Sequence, residues 1–80
     1  MDRLDLERRL DALASLAEPV RLALYRCVAG REQGLGRDEA AAAVGISRKL
    51  AAYHLDKLAE AGLLEVRFER RGGPERARRR

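Results

Sequence analysis

The sequence predicts a mainly α-helical domain of about four helices that ends in a small β-hairpin. Apolar residues recur every three or four positions through most of residues 1–61, which is the period of an amphipathic helix. A glycine turn separates two of these periodic segments. From residue 64 onward, apolar and polar residues alternate, which is typical of a strand. At 80 residues, the chain has room for a single domain, 1–80.

Residues 1–17 predict the first helix. Its apolar stripe has spacings of four, three and four and consists of Leu6, Leu10, Leu13 and Ala17. Asp2 and Asp5 place negative charge where it suits the helix dipole, and Glu18-Pro19 ends the helix because a residue before proline disfavours helical geometry. A chain this small buries little surface alone, so we expect Leu6, Leu10 and Leu13 to form a dimer interface.

The second helix begins at Pro19, runs to about Ala29 and is closed by Gly30. We expect it to be the central helix, because apolar residues cover much of its surface: Val20, Leu22, Leu24, Tyr25, Cys27 and Val28. Cys27 is the single cysteine, which excludes an intrachain disulfide and favours a small buried hydrophobe. In the polar loop 31–36, Leu35 is expected to plug the core from a short extended segment.

Residues 37–61 predict a helix-turn-helix. Asp38 to Val44 is a short helix, Gly45-Ile46 leaves room only for a tight turn, and Ser47 supplies the N-cap hydroxyl of the next helix. Gly62 stands where a left-handed C-terminal cap is required. A short helix, a glycine turn and a longer helix with a basic start form the motif that many DNA-binding proteins use.

The second helix of this motif has two faces. Its apolar stripe consists of Ala51, Leu55 and Leu58, and its other face carries the candidate DNA-contacting residues Ser47, Arg48, Lys49, Ala52 and Tyr53. The helix N-terminus favours phosphate through its amide groups and dipole. Alternatively, Arg48 and Lys49 are solvated charges and Tyr53 covers the edge of the core. We interpret His54 as a structural histidine and expect Arg21 to hold neighbouring helices by hydrogen bonds.

The last segment is strongly basic. Residues 1–66 contain ten basic and eleven acidic side chains, whereas residues 67–80 contain seven and two, for net charges of −1 and +5. A strand from Leu64 and a turn at Gly72-Gly73-Pro74 call for a return strand, but residues 75–80 offer only Ala77 as an apolar residue. The hairpin is therefore truncated, flexible or completed by something absent. We expect a mobile tail that contacts nucleic acid or another polyanion, with a solvated end as the alternative.

Composition argues against several classes of protein. Aromatic residues make up 4% of the chain, too few for a platform that stacks single-stranded bases. No apolar run approaches the roughly 20 residues of a membrane span and no signal peptide is evident, so we expect a cytoplasmic protein without membrane contact. No nucleophile–base pair, metal cluster or phosphate-cradling glycine loop occurs, so we expect no enzyme, no metal and no cofactor.

Four stretches resemble the bacterial ArsR-type winged helix-turn-helix transcription regulators. They are Glu18-Pro19-Val20-Arg21-Leu22, Gly45-Ile46-Ser47, His54-Leu55-Asp56-Lys57-Leu58 and Ala61-Gly62-Leu63-Leu64. The resemblance implies a dimerisation helix at 1–17, a wing and basic tail at 63–80, and major-groove positions at Arg48, Lys49, Ala52 and Tyr53. From the wing we add Arg70, Arg71, Arg76 and Arg78 as DNA contacts. Metal-sensing members usually carry clustered cysteines in the recognition helix, where this chain has none.

These observations predict a homodimeric transcription regulator that binds specific sequences of double-stranded DNA. Helix 47–61 would lie in the major groove, and the basic wing would lie on the backbone or in the minor groove. The alternative is a winged-helix module for protein–protein contact, whose basic tail binds an acidic partner. The sequence identifies no effector.

Overall fold

The computed structural model describes residues 2–68 and 75–80, which form four helices and a three-stranded antiparallel sheet. In chain order the elements are α1 (Arg3–Ser15), α2 (Pro19–Ala29), β1 (Leu35–Gly36), α3 (Arg37–Val44), α4 (Arg48–Glu60), β2 (Leu64–Phe68) and β3 (Glu75–Arg79). This architecture confirms the predicted mainly α-helical fold with a small β-wing. No helix within the described residues is long and apolar enough to cross a membrane.

Local sequence signals set the boundaries of α4. The Ser47 hydroxyl accepts a hydrogen bond from the backbone N–H of Leu50 at 3.1 Å, as expected of an N-cap. Gly45, which ends α3, and Gly62, which follows α4, have φ angles of 80° and 77°. Both therefore adopt the left-handed conformation that glycine tolerates best. The predicted turn and the predicted end of the recognition helix are confirmed.

The core lies between α2, α3, α4 and the sheet. Its buried residues come from each of these elements: Leu24, Val28, Leu35, Ala40, Ala41, Ala51, Leu55, Leu58, Leu64 and Ala77. Burying one leucine fully contributes about 1.5–3 kcal/mol, so the four leucines at 1% exposure or less dominate this core. The prediction that Leu35 plugs the core is confirmed. The helix α2 packs against α3, α4 and β3 but has only two buried residues, whereas α4 has four, so α4 and not α2 is the most buried helix. Cys27 is half-buried against the same core.

The strand β3 corrects the expectation of a mobile tail. Residues 75–79 form the central strand, which pairs with β2 from Leu64↔Arg79 to Phe68↔Glu75 and with β1 through Leu35↔Ala77. A central strand is held on both edges by main-chain hydrogen bonds, which do not require apolar side chains. Ala77 is 2% exposed and belongs to the core. The predicted turn at Gly72-Gly73-Pro74 lies outside the described residues.

Candidate nucleic-acid interface

The predicted contact face of α4 is open to solvent. Ser47, Arg48, Lys49 and Tyr53 are exposed, and Ala52 is half-buried between them. Helical geometry spreads the four α4 residues over about 140° of the helix surface, away from the apolar stripe that enters the core. The structure therefore brings these predicted residues together on one surface.

An ion pair holds the first side chain of this surface. Arg48 Nε lies 2.9 Å from Oδ1 of Asp38 in the first turn of α3, and the two side chains are 66% and 75% exposed. Exposed ion pairs contribute about 0–1 kcal/mol, so a phosphate or a base edge can replace the carboxylate at little cost. Arg48 therefore lies near the motif turn without being locked there.

Tyr53 lies at the border between the exposed surface and the protein interior. Its side chain is 51% exposed, and its ring meets the His54 ring edge-on with a centroid distance of 5.2 Å. Two cations lie near the ring, with Lys57 Nζ at 5.7 Å and Arg21 Cζ at 6.0 Å from its centroid. These contacts restrict the ring while leaving half of its surface available.

A polar cluster of Glu18, Arg21 and the buried His54 lies next to Tyr53. His54 is 6% exposed, and its Nδ1 accepts a hydrogen bond from Arg21 Nε at 3.1 Å. Because an accepting Nδ1 carries no proton, the proton of the neutral imidazole lies on Nε2, which faces Glu18 Oε2 at 3.6 Å. The predicted structural histidine and helix-holding arginine are confirmed. Their mutual contact was not predicted, because no sequence signal pairs residues 33 positions apart.

Glu18 anchors the start of α2 in the same cluster. Its carboxylate accepts a hydrogen bond from the backbone N–H of Arg21 at 2.7 Å. This hydrogen bond is the main reason that the pKa of Glu18 lies below that of an ordinary glutamate, and the positive charge of Arg21 acts in the same direction. The carboxylate therefore stays ionised at neutral pH.

The predicted wing residues have different surroundings. Arg78 is exposed on β3, whereas Arg76 is half-buried, donates to the carbonyl of Gly34 at 3.2 Å and lies 3.7 Å from Glu39 Oε1. Arg70 and Arg71 lie outside the described residues. In the antiparallel register, the unpredicted Arg67 stands opposite Arg76 on the same sheet face. The period-two alternation of β2 was the signal that could have identified Arg67.

The leucine stripe of α1 is exposed. Leu6, Leu10 and Leu13 are 49%, 55% and 65% exposed, and α1 has no buried residue. Helical geometry places the three side chains within about 60° of one another, so they form a continuous apolar strip. A strip of this kind on a charged helix is typical of an interaction surface.

Among the described residues, no group of three or more His, Cys, Asp or Glu side chains is suited to hold a metal ion.

Comparisons with known proteins agree with this geometry. A family model described as a helix-turn-helix domain matches residues 16–67. A homodimeric winged helix-turn-helix DNA-binding domain from Mycobacterium bovis, a possible ArsR-family transcriptional regulator, is 27% identical with a TM-score of 0.82, over 99% of this chain and 71% of that chain. The transcriptional repressor BigR from Xylella fastidiosa is 27% identical with a TM-score of 0.73, and the match covers 100% of this chain and 82% of that chain. No functionally curated protein matches the sequence significantly.

Proposed function

We propose that this chain is a homodimeric transcription regulator that recognises specific sequences in double-stranded DNA. It belongs to the helix-turn-helix domain family, and its fold is that of ArsR-type winged-helix regulators, which are not enzymes. The single observation that best supports this proposal is the open α4 face. Along this face, Arg48 and Lys49 lie at the N-terminal end of the helix, and Ala52 and the half-exposed Tyr53 follow one turn later. The proposal places the protein in the bacterial cytoplasm, where the chromosome lies.

In this proposal α4 enters the major groove with its N-terminus foremost. Arg48 and Lys49 would reach base edges or phosphates, and the Ser47 end of the helix would approach a phosphate. The side chain of Ala52 is small, so the middle of this face can approach the bases closely. Tyr53 would then contact a base edge or the sugar–phosphate backbone.

The arginines of the wing would supply contacts that do not depend on sequence. Arg67 and Arg78 are exposed on the sheet, and we expect Arg70 and Arg71 to add phosphate or minor-groove contacts. Arg76 already binds the carbonyl of Gly34 within the chain. We therefore expect Arg76 to contribute mainly by holding β3 in place, with any phosphate contact secondary.

The exposed stripe of Leu6, Leu10 and Leu13 would join two copies of the chain. A homodimeric domain among the structural relatives supports this arrangement. Two copies related by a two-fold axis would present two α4 helices to half-sites about 34–36 Å apart, which is one turn of DNA.

Selection of bound duplexes from a random pool tests this function. We expect a two-fold symmetric consensus whose affinity falls steeply with salt. Arg48→Ala provides an internal check, because it should relax the preference at one position in each half-site. Binding that selects no sequence would contradict the proposal, and salt-sensitive capture of acidic polypeptides instead of duplexes would favour a protein-interaction module.

A further inference from the structure

We propose that the Arg21–His54 pair positions the DNA-reading face of α4 relative to the dimerisation helix α1, and thereby sets sequence discrimination more than overall affinity. This inference rests on the proposed function. It assigns a role to two residues that lie behind the contact surface and are not expected to touch DNA themselves.

One guanidinium connects three helices. Arg21 belongs to α2, and its Nε donates to His54 of α4 at 3.1 Å. A second guanidinium nitrogen, Nη1, donates to the Oγ at 3.3 Å and to the carbonyl oxygen at 3.4 Å of Ser15, the last residue of α1. The planar guanidinium presents its donors in a rigid fork, so these three hydrogen bonds fix the directions of His54 and Ser15 together. The end of α1 is thereby tied to the middle of α4.

Apolar packing between α1 and α4 supplies little of this alignment. No residue of α1 is buried, and a cleft of about 300 Å³ separates α1 from the C-terminal end of α4, lined by Arg8, Asp11, Glu60, Ala61, Gly62 and Arg80. A cleft between two helices leaves them without close packing there, so small rotations of one helix against the other cost little. A directional hydrogen-bonded link at Ser15, the C-terminal residue of α1, is therefore well placed to define the angle.

The same pair also supports the reading face directly. Tyr53 is adjacent to His54 in sequence, its ring contacts the His54 ring edge-on, and Arg21 lies 6.0 Å from its centroid. Side chains reach about 5–6 Å from the helix axis, so a rotation of α4 by about 20° would move their tips by about 2 Å. Hydrogen bonds to base edges tolerate only a few tenths of an ångström, whereas attraction to the DNA backbone hardly changes over this distance. Misalignment should therefore reduce discrimination before it reduces non-specific affinity.

Conservative variants separate this positioning role from simple folding. Arg21→Lys keeps the charge but replaces the fork by one nitrogen, so it cannot occupy both the Nε and Nη1 positions. His54→Leu removes the acceptor, whereas His54→Asn keeps an oxygen on Cγ close to the place of Nδ1. Arg26→Lys is the matched control, because Arg26 is an exposed residue of the same helix.

The measurement is the ratio of dissociation constants for a non-specific and the selected duplex, made well below the melting temperature on chains verified as dimers. We expect Arg21→Lys and His54→Leu to lower this ratio about 5- to 160-fold, the range for losing one good base contact, with non-specific affinity within about twofold of wild type. His54→Asn and Arg26→Lys should keep the wild-type ratio. In wild type, long-range ¹H–¹⁵N spectra should show the proton of His54 on Nε2.

Several results would overturn the inference. Wild-type ratios in both Arg21→Lys and His54→Leu would show that the pair does not position the reading face, while leaving the proposed function intact. Equal losses for both duplexes, accompanied by loss of folded signal, would show a structural role only. A wild-type protein that does not discriminate between duplexes would overturn the proposed function and this inference together.

Discussion

Leu10→Asp is expected to break the proposed homodimer while leaving the fold of each chain intact. Leu10 is 55% exposed in the single chain, and burying a whole leucine side chain contributes about 1.5–3 kcal/mol. Burying the exposed half therefore contributes about 0.8–1.6 kcal/mol per copy, and a two-fold interface contains two copies. Their loss should weaken dimerisation about 15- to 250-fold. The buried carboxylate adds a desolvation cost, so this range is a lower bound.

Sedimentation equilibrium measures the dimerisation constant, and far-ultraviolet circular dichroism verifies that the helices remain. Leu4→Asp is the matched control, because Leu4 is 57% exposed on the same helix but lies at least about 120° around it from Leu6, Leu10 and Leu13. Only the Leu10 variant should dissociate. If both variants dimerise as tightly as wild type, or if both weaken equally, the apolar stripe is not the interface.

The remaining predictions concern DNA affinity, folding and pH. Arg48→Ala should weaken binding to the selected duplex by about 1–3 kcal/mol, measured by titration at moderate salt; unchanged affinity would refute a base contact. Deleting residues 75–80 removes the central strand, so the melting temperature should fall by at least about 10 °C; an unchanged value would show that β3 is dispensable. Gly34→Ala should lower the free energy of unfolding more than Gly45→Ala in denaturant titrations. Both glycines have positive φ, but a Cβ added at Gly34 would lie 2.2 Å from a β3 carbonyl oxygen, whereas one added at Gly45 would meet nothing within 4 Å. Equal losses of stability would refute the clash. The lowered pKa of Glu18 stabilises the fold above about pH 4.5, and this gain is lost as the pH falls below it. The free energy of unfolding should therefore fall more steeply between about pH 5 and 3 in the wild type than in Glu18→Gln. Parallel plots of stability against pH would contradict this.

Much of the fold could be predicted from local sequence signals. Proline at the start of α2, serine before α4 and glycine after α3 and α4 act over one turn of helix, so their effect does not depend on distant contacts. The apolar stripe of α4 predicted which of its sides is buried, and thereby which side is free to contact DNA. The positions of the α4 residues that we propose contact DNA followed from the same periodicity.

Contacts between distant parts of the chain could not be predicted in this way. The arginine-rich end predicted a mobile tail, but β3 lies between two other strands, where backbone hydrogen bonds on both edges hold it regardless of side-chain polarity. The pairing of Arg21 with His54 and the internal bond of Arg76 to Gly34 likewise depend on elements that meet only after folding. The sequence by itself determined the helices, their caps and the solvent-facing side of α4, because these depend on neighbours within a few residues. The tertiary structure alone decided that β3 also pairs with β1 and that Arg21 meets His54 and Arg76 meets Gly34, because these contacts join residues 33 or more positions apart.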